Sequence, residues 1–219
     1  MSEEFGRQVS VEHGTLPLRA ATASPRFQYR VWDELHEPTA RLHRLAHQPR
    51  IEHRRDTYLL GTDPKHNLKL RGQRLEINEL VQVAAGFEQW HRIGLHPLPS
   101  TTGEVHHWLH EFAESTTPLL AEYPADSRVG RRRLLETATS YGLRLVAVIK
   151  RRERFVIGSL RAETTAMWLT EAGIALNCVA IEGKDLPALS ALRVQLGIEG
   201  RQNKAVPLAL HQVLERDPA

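Results

Sequence analysis

Little in this sequence of 219 residues points to a membrane span, a secretory leader or a disulfide-built fold. Its one cysteine, Cys178, can form no internal disulfide, and without a CxxC pair there is neither zinc-ribbon nor thioredoxin-like chemistry. A chain so poor in cysteine suits a reducing cytosol, and a cytoplasmic location is expected. No apolar run approaches the roughly 18 to 20 residues of a membrane-crossing helix. Met1 to Ala21 holds no hydrophobic stretch bounded by a cleavage site, so no secretory leader is expected. Neither sign of charge dominates, with 29 Lys and Arg against 26 Asp and Glu, so only local clustering of cations could point to an anionic partner. What is present is a globular mix, 41% hydrophobic and 25% charged, at a length that allows a sizeable core.

Residues 1–24 are polar and carry no helical or strand period, and a mobile tail is expected there. From Phe27 the pattern alternates. Phe27, Tyr29 and Val31 fall on one face and Gln28, Arg30 and Trp32 on the other, which predicts a half-buried strand over Arg26 to Asp33. Pro38 suits the first turn of a helix through His47 with a stripe of Leu42, Leu45 and Ala46. Ile51 to Leu60 is rich in β-branched and aromatic residues, and Gly61-Thr62-Asp63-Pro64 supplies a turn before a short strand, His66 to Arg71. Arg74 to Val83 and Gly86 to Ile93 then complete a four-stranded meander, broken by His96-Pro97-Leu98-Pro99.

The period then changes. Val105, Trp108, Leu109 and Phe112 fall at i, i+3, i+4 and i+7, and Leu134, Leu135, Ala138 and Tyr141 repeat the pattern on a second helix, ended by Gly142. Strands are expected again at Leu143 to Arg152, Arg154 to Thr164 and Ala175 to Glu182. Asp185 is placed to cap a helix that Gly197 stops, and Pro207 opens a last one through Glu215. Short connections make the seven or eight strands antiparallel. The fold class is therefore α+β, a single domain over 25–219 with a helical insertion at about 104–141.

Parity places Asn67, Lys69 and Arg71 together on one face of their strand, away from Leu68 and Leu70. It likewise groups Lys150 with Arg152, Arg161 with Glu163, and Glu76 with Asn78. A solvated outer sheet face explains such a pattern by itself. A sheet curled so that this face lines a tunnel is the sharper alternative, in which the enclosed cations need an anionic occupant, most naturally a polyphosphate, whose oxygens arginine forks match in pairs. Alternation alone does not choose between the two.

A resemblance favours the second. Arg55-Asp56-Thr57-Tyr58-Leu59, Leu68-Lys69-Leu70-Arg71-Gly72, Leu75-Glu76-Ile77-Asn78, Val148-Ile149-Lys150-Arg151-Arg152 and Val179-Ala180-Ile181-Glu182-Gly183, in that order, resemble the CYTH family of triphosphate tunnel metalloenzymes. The likeness spans about Arg26 to Leu214 through short, degenerate motifs. It implies an eight-stranded antiparallel tunnel, a closed or partly closed barrel with flanking helices. Arg30, Lys69, Arg71, Lys150, Arg152, Arg161 and, as a weaker match, Lys204 would grip a triphosphate or polyphosphate. Glu163 and Glu182, helped by Glu76, would hold Mg2+ or Mn2+ for attack of water on the terminal phosphorus. The chain departs from the family where its first strand would read Glu-x-Glu-x-Lys, since Arg26, Gln28 and Arg30 stand there, and again where Ala180 replaces a glutamate. Two readings follow: a metal-dependent triphosphatase, or a catalytically degenerate module that binds the anion or a protein partner without turnover.

Other signals carry less. His106 and His110 are spaced i, i+4 beside His107 and Glu111, and His43 and His47 share that spacing, but no HExxH is present and these residues flank helix stripes. Cys178 lies among apolar neighbours with no activating base in sight. Arg131-Arg132-Arg133 reads as a solvated basic run, and without a helix-turn-helix or RNP motif nucleic acid is not an expected partner. The four tryptophans are scattered, and core packing accounts for them.

Overall fold

The computed structural model of the chain describes residues 25–46, 48–112 and 127–216. The tail expected over 1–24, His47, the middle of the 104–141 insertion and the last three residues lie outside the described residues. Eight long strands are β1 (Arg26–Trp32), β2 (Arg50–Leu60), β3 (His66–Arg71), β4 (Arg74–Ala84), β5 (Phe87–Pro97), β8 (Arg144–Ile157), β9 (Leu160–Leu169) and β10 (Ile174–Gly183). Between them come helices α1 (His36–Leu45), α2 (Thr102–Phe112) and α3 (Arg131–Ser140), with two-residue strands β6 (Ser100–Thr101) and β7 (Arg128–Val129), and α4 (Leu186–Leu196) and α5 (Val206–Arg216) follow β10.

The eight long strands form a closed antiparallel barrel in the order β1-β10-β9-β8-β2-β3-β4-β5. β1 completes it by pairing with β10 along one edge, Phe27 opposite Gly183 through Trp32 opposite Cys178, and with β5 along the other, Arg26 opposite Trp90. Closure leaves the sheet without a free edge along these ladders and gives every strand an inner and an outer face.

The outer face is buried under helices on two sides. α2 and α3 set Val105, Trp108, Leu109, Leu134 and Ala138 against Leu59, Leu68, Leu70, Leu75 and Ile77. α1 and α4 set Leu42, Leu189, Leu192 and Leu196 against Phe27, Tyr29, Phe155, Val179 and Ile181. Burying each such leucine or isoleucine contributes roughly 1.5–3 kcal/mol, so it is the apolar strand parity that faces outward, under the helices. The expected caps of α4 form: Asp185 accepts from the Ala188 amide at 3.1 Å, and Gly197 ends the helix at φ 67°, where a side chain would be strained.

Several boundaries differ from expectation, and the strand expected over Arg154 to Thr164 is β9 over Leu160–Leu169. β8 does not stop at Arg152 but continues to Ile157, because the turn sits at Gly158-Ser159, where Gly158 has φ 58°. β5 runs through the Pro-rich break as far as Pro97, pairing His96 with Leu75. The fifth helix packs differently from the other four. α5 brings Val206, Leu210 and Leu214 against the inward-facing Tyr58, Val146, Val148, Met167 and Leu169, and so stops one end of the barrel with apolar side chains.

Candidate functional site

The barrel encloses a cavity of about 560 Å³. Ten of its lining residues are arginine or lysine: Arg26, Arg30, Arg54, Lys69, Arg71, Arg92, Lys150, Arg152, Arg154 and Arg161. Only four are acidic, namely Asp56, Glu76, Glu163 and Glu182. Strand alternation delivers them, since Arg54, Asp56 and Tyr58 share one parity of β2, Lys150, Arg152 and Arg154 one of β8, and Arg161, Glu163, Thr165 and Met167 one of β9. Toward α5 the lining turns apolar through Met167, Ala205 and Val206. The opposite region opens to solvent, with Arg161 and Glu182 exposed by 47% and 39% of their side chains.

The carboxylates are shared among the cations. Asp56, with none of its side chain exposed, accepts from Lys150 Nζ at 3.0 Å and from Arg71 Nε at 2.9 Å. Burial pushes its carboxyl up, but the hydrogen bonds from Arg71 and the charge of Lys150 outweigh burial and hold it well below the usual carboxylate range. Glu76 takes Arg71 at 2.8 Å and Lys69 at 3.5 Å. Glu163 takes Arg30 at 3.0 Å and also Arg152, and although burial raises its carboxyl, these two guanidinium groups bring it down to about 2. Glu52, on the same parity of β2 as Arg54, accepts from Arg54 at 2.6 Å and Arg152 at 3.3 Å and lies 3.8 Å from Arg154.

The cations are not evenly compensated. Arg26 and Arg92 have no carboxylate partner among the described residues, and the buried Nε of Arg92 and Oδ1 of Asn67 have no hydrogen-bond partner at all. Desolvation dominates the two lysines. It lowers Lys69 despite Glu76, and it lowers Lys150 to about 8 even with Asp56 beside it. Lys150 also donates to the Tyr58 hydroxyl, whose own pKa is pushed up to about 12 by burial. Arg30 donates to Cys178 Sγ at 2.8 Å, and burial raises that thiol.

Of the cations singled out in the sequence, Arg30, Lys69, Arg71, Lys150, Arg152 and Arg161 all line the cavity. Lys204 does not. Its amide donates to the Arg30 carbonyl and its own carbonyl accepts from Trp32 Nε1, so its main chain anchors β1 to the segment before α5. Arg54, Arg92, Arg154 and Arg26 were not anticipated as lining cations, nor Asp56 as the counter-charge of Lys150 and Arg71. Arg154 was legible from parity had the strand been extended by two residues. Arg92 was legible by the same rule, since it shares the inward parity of Trp90 on β5, opposite to Phe87 and Ile93, and β5 pairs without interruption from Phe87 to Arg92.

A divalent cation requires hard oxygen donors that converge on one point. Among the described residues no three His, Cys, Asp or Glu side chains do so. Glu163 and Glu76 each neutralise two cations, and Glu182 faces Arg161 at 3.5 Å. Ala180 stands opposite Glu163 and Gln28 opposite Glu182, where further carboxylates would be needed. With its amide oxygen turned to Arg30, Gln28 accepts from Nε at 3.1 Å and Nη2 at 2.6 Å, so it too is engaged. The donor set does not fit Mg2+ or Mn2+. On α2 the rings of His106 and His110 lie nearly parallel with centroids 6.0 Å apart, and His106 meets Tyr141 edge-on. No helix among the described residues is long and apolar enough to cross a membrane.

No family model matches the chain, and no curated protein does. Among solved structures it is similar to a conserved hypothetical protein from Pyrococcus furiosus, at 12% identity and a TM-score of 0.49 over 83% of this chain and 98% of the other. It is also similar to a candidate adenylate cyclase from Bacillus halodurans, at 10% identity and a TM-score of 0.46 over 86% and 95%. Likeness at this level carries neither residue roles nor activity across, so the chemistry has to come from the side chains of this barrel.

Proposed function

We propose that the chain binds a small triphosphate or polyphosphate inside its barrel and holds it without turning it over. The observation that carries this reading is the imbalance of ten cationic against four acidic lining side chains in an enclosed space. Two like charges 4 Å apart repel by about 4 kcal/mol at an effective dielectric of 20, and the barrel offers them little water in exchange. An oligophosphate supplies several negative charges on a narrow chain, and each phosphate presents oxygens in pairs that a guanidinium fork can meet. A single carboxylate or chloride could satisfy only one end of so long a cationic lining. The apolar stop made by α5 sets the depth to which such a chain enters, and the half-exposed Arg161 marks the open side.

Binding without hydrolysis is favoured over turnover by the donor set. Carboxylates that would have to carry a metal are instead engaged by arginine and lysine, and among the described residues each acidic side chain of the lining is paired with a cation. Calorimetry with sodium tripolyphosphate on the wild type and on the Lys69→Ala/Arg71→Ala double variant tests the site. Micromolar binding that weakens at least tenfold in the variant is expected, whereas equal affinities would remove the barrel from consideration. A phosphate-release assay on tripolyphosphate, ATP and thiamine triphosphate with Mg2+ or Mn2+ tests the second half, and steady turnover would restore the metal-dependent hydrolase reading.

A further inference from the structure

We infer that the barrel recognises the metal-free oligophosphate, and that a divalent cation antagonises binding instead of assisting it; this rests on the oligophosphate reading above. Three observations lead there. The candidate metal ligands already hold cations of the protein itself: Glu163 accepts from Arg30 and Arg152, and Glu76 from Arg71 and Lys69. For a dication to reach either, two charge-assisted contacts must break in a setting where cations are already in excess. The polar neighbour that could help, Gln28, turns its amide oxygen to the same Arg30. Finally, Arg92 keeps a buried Nε without a partner, so the lining retains donor capacity that a guest's oxygens can take and a metal ion cannot.

The consequence is a competition for oxygens. In solution Mg2+ binds an oligophosphate through the same non-bridging oxygens that the guanidinium forks would take, and it gives up its water reluctantly. The complex carries less negative charge and brings a dication toward Arg30 and Arg152. The barrel therefore selects the free anion, and the carboxylates serve as counter-charges that the guest displaces.

The test is calorimetry of sodium tripolyphosphate into the full chain, once with a chelator and once with Mg2+ in excess over the ligand, at matched ionic strength so that screening is held constant. Tight binding in chelator and at least tenfold weaker binding in Mg2+ is the expected pair of results. Equal or tighter binding in Mg2+ overturns the inference while leaving the oligophosphate site standing. Absence of binding in both buffers sinks the site itself and the inference with it. Glu163→Gln and the half-exposed Glu182→Gln are measured alongside, with melting curves to establish that each is folded. Both should bind tripolyphosphate in chelator at least as well as the wild type, since arginines are released to the guest. A loss of affinity seen only in Mg2+ would make these carboxylates metal ligands after all.

Discussion

Removing the Asp56 carboxylate should destabilise the fold by an amount that depends on pH in a defined way. Asp56 is fully buried and pairs with Lys150 at 3.0 Å and Arg71 at 2.9 Å. Deleting one member of a buried ion pair typically costs about 3–5 kcal/mol, because the partner is left charged and unsolvated. Arg71 keeps 30% of its side chain exposed and can turn toward water, whereas Lys150, at 8%, cannot. Most of the penalty therefore comes from Lys150, and about 3 kcal/mol is expected for Asp56→Ala at pH 6. Lys150 has a second way out: burial already lowers its pKa to about 8, so above that value it is largely neutral in the wild type as well, and the difference between the two proteins should shrink by pH 9. Urea denaturation at pH 6 and pH 9 measures both values. The Asp56→Ala/Lys150→Met double variant should be more stable than Asp56→Ala alone at pH 6, since the stranded cation is gone. An Asp56→Ala protein within about 0.5 kcal/mol of the wild type at pH 6, or a penalty that grows with pH, would refute this reasoning.

Three further outcomes follow from the same geometry. Tripolyphosphate affinity should fall as pH rises through about 8, where the free protein's Lys150 loses its proton, and this part of the pH dependence should vanish in Lys150→Met when both are titrated calorimetrically. Glu163, held down to about 2 from an ordinary 4.5, contributes stability that is present above about pH 4.5 and lost as pH falls through about 2. Of order 3 kcal/mol is at stake, and acid unfolding of Glu163→Gln should be correspondingly flatter over that window than that of the wild type. Asp185→Ala removes the side-chain cap on the Ala188 amide and should cost about 1 kcal/mol in urea denaturation, with tripolyphosphate affinity unchanged.

The barrel was legible because its two faces obey one rule nearly everywhere. Leu68 and Leu70 alternate with Asn67, Lys69 and Arg71, and the apolar set goes under helices while the charged set goes inward. Parity gave the grouping but not the side of the sheet, since an outward charged face would have the same pattern. Closure is a property of long-range pairing, above all β1 with β5, for which local periodicity carries no signal. Arg154 was missed because the polar run through Glu153 hides a strand that ends only at Ile157. Arg92 shares the parity of Trp90 in a strand whose charged face the local pattern marks only weakly, between Glu88 and His91. The partnership of Glu163 with Arg30 and Arg152 joins three strands and is likewise invisible in the sequence, which is why Glu163 reads there as a metal ligand and in three dimensions as a counter-charge.

The central claim is that the inward cations meet an oligophosphate inside the barrel, and a crystal structure of the chain grown with sodium tripolyphosphate in chelator tests it most directly. The account predicts phosphate oxygens at about 2.7–3.2 Å from the heads of Lys69, Arg30 and Arg92, with the Arg92 Nε paired. Tripolyphosphate bound only on the outer surface, with Arg92 Nε still unpaired and the barrel interior unchanged, would contradict it.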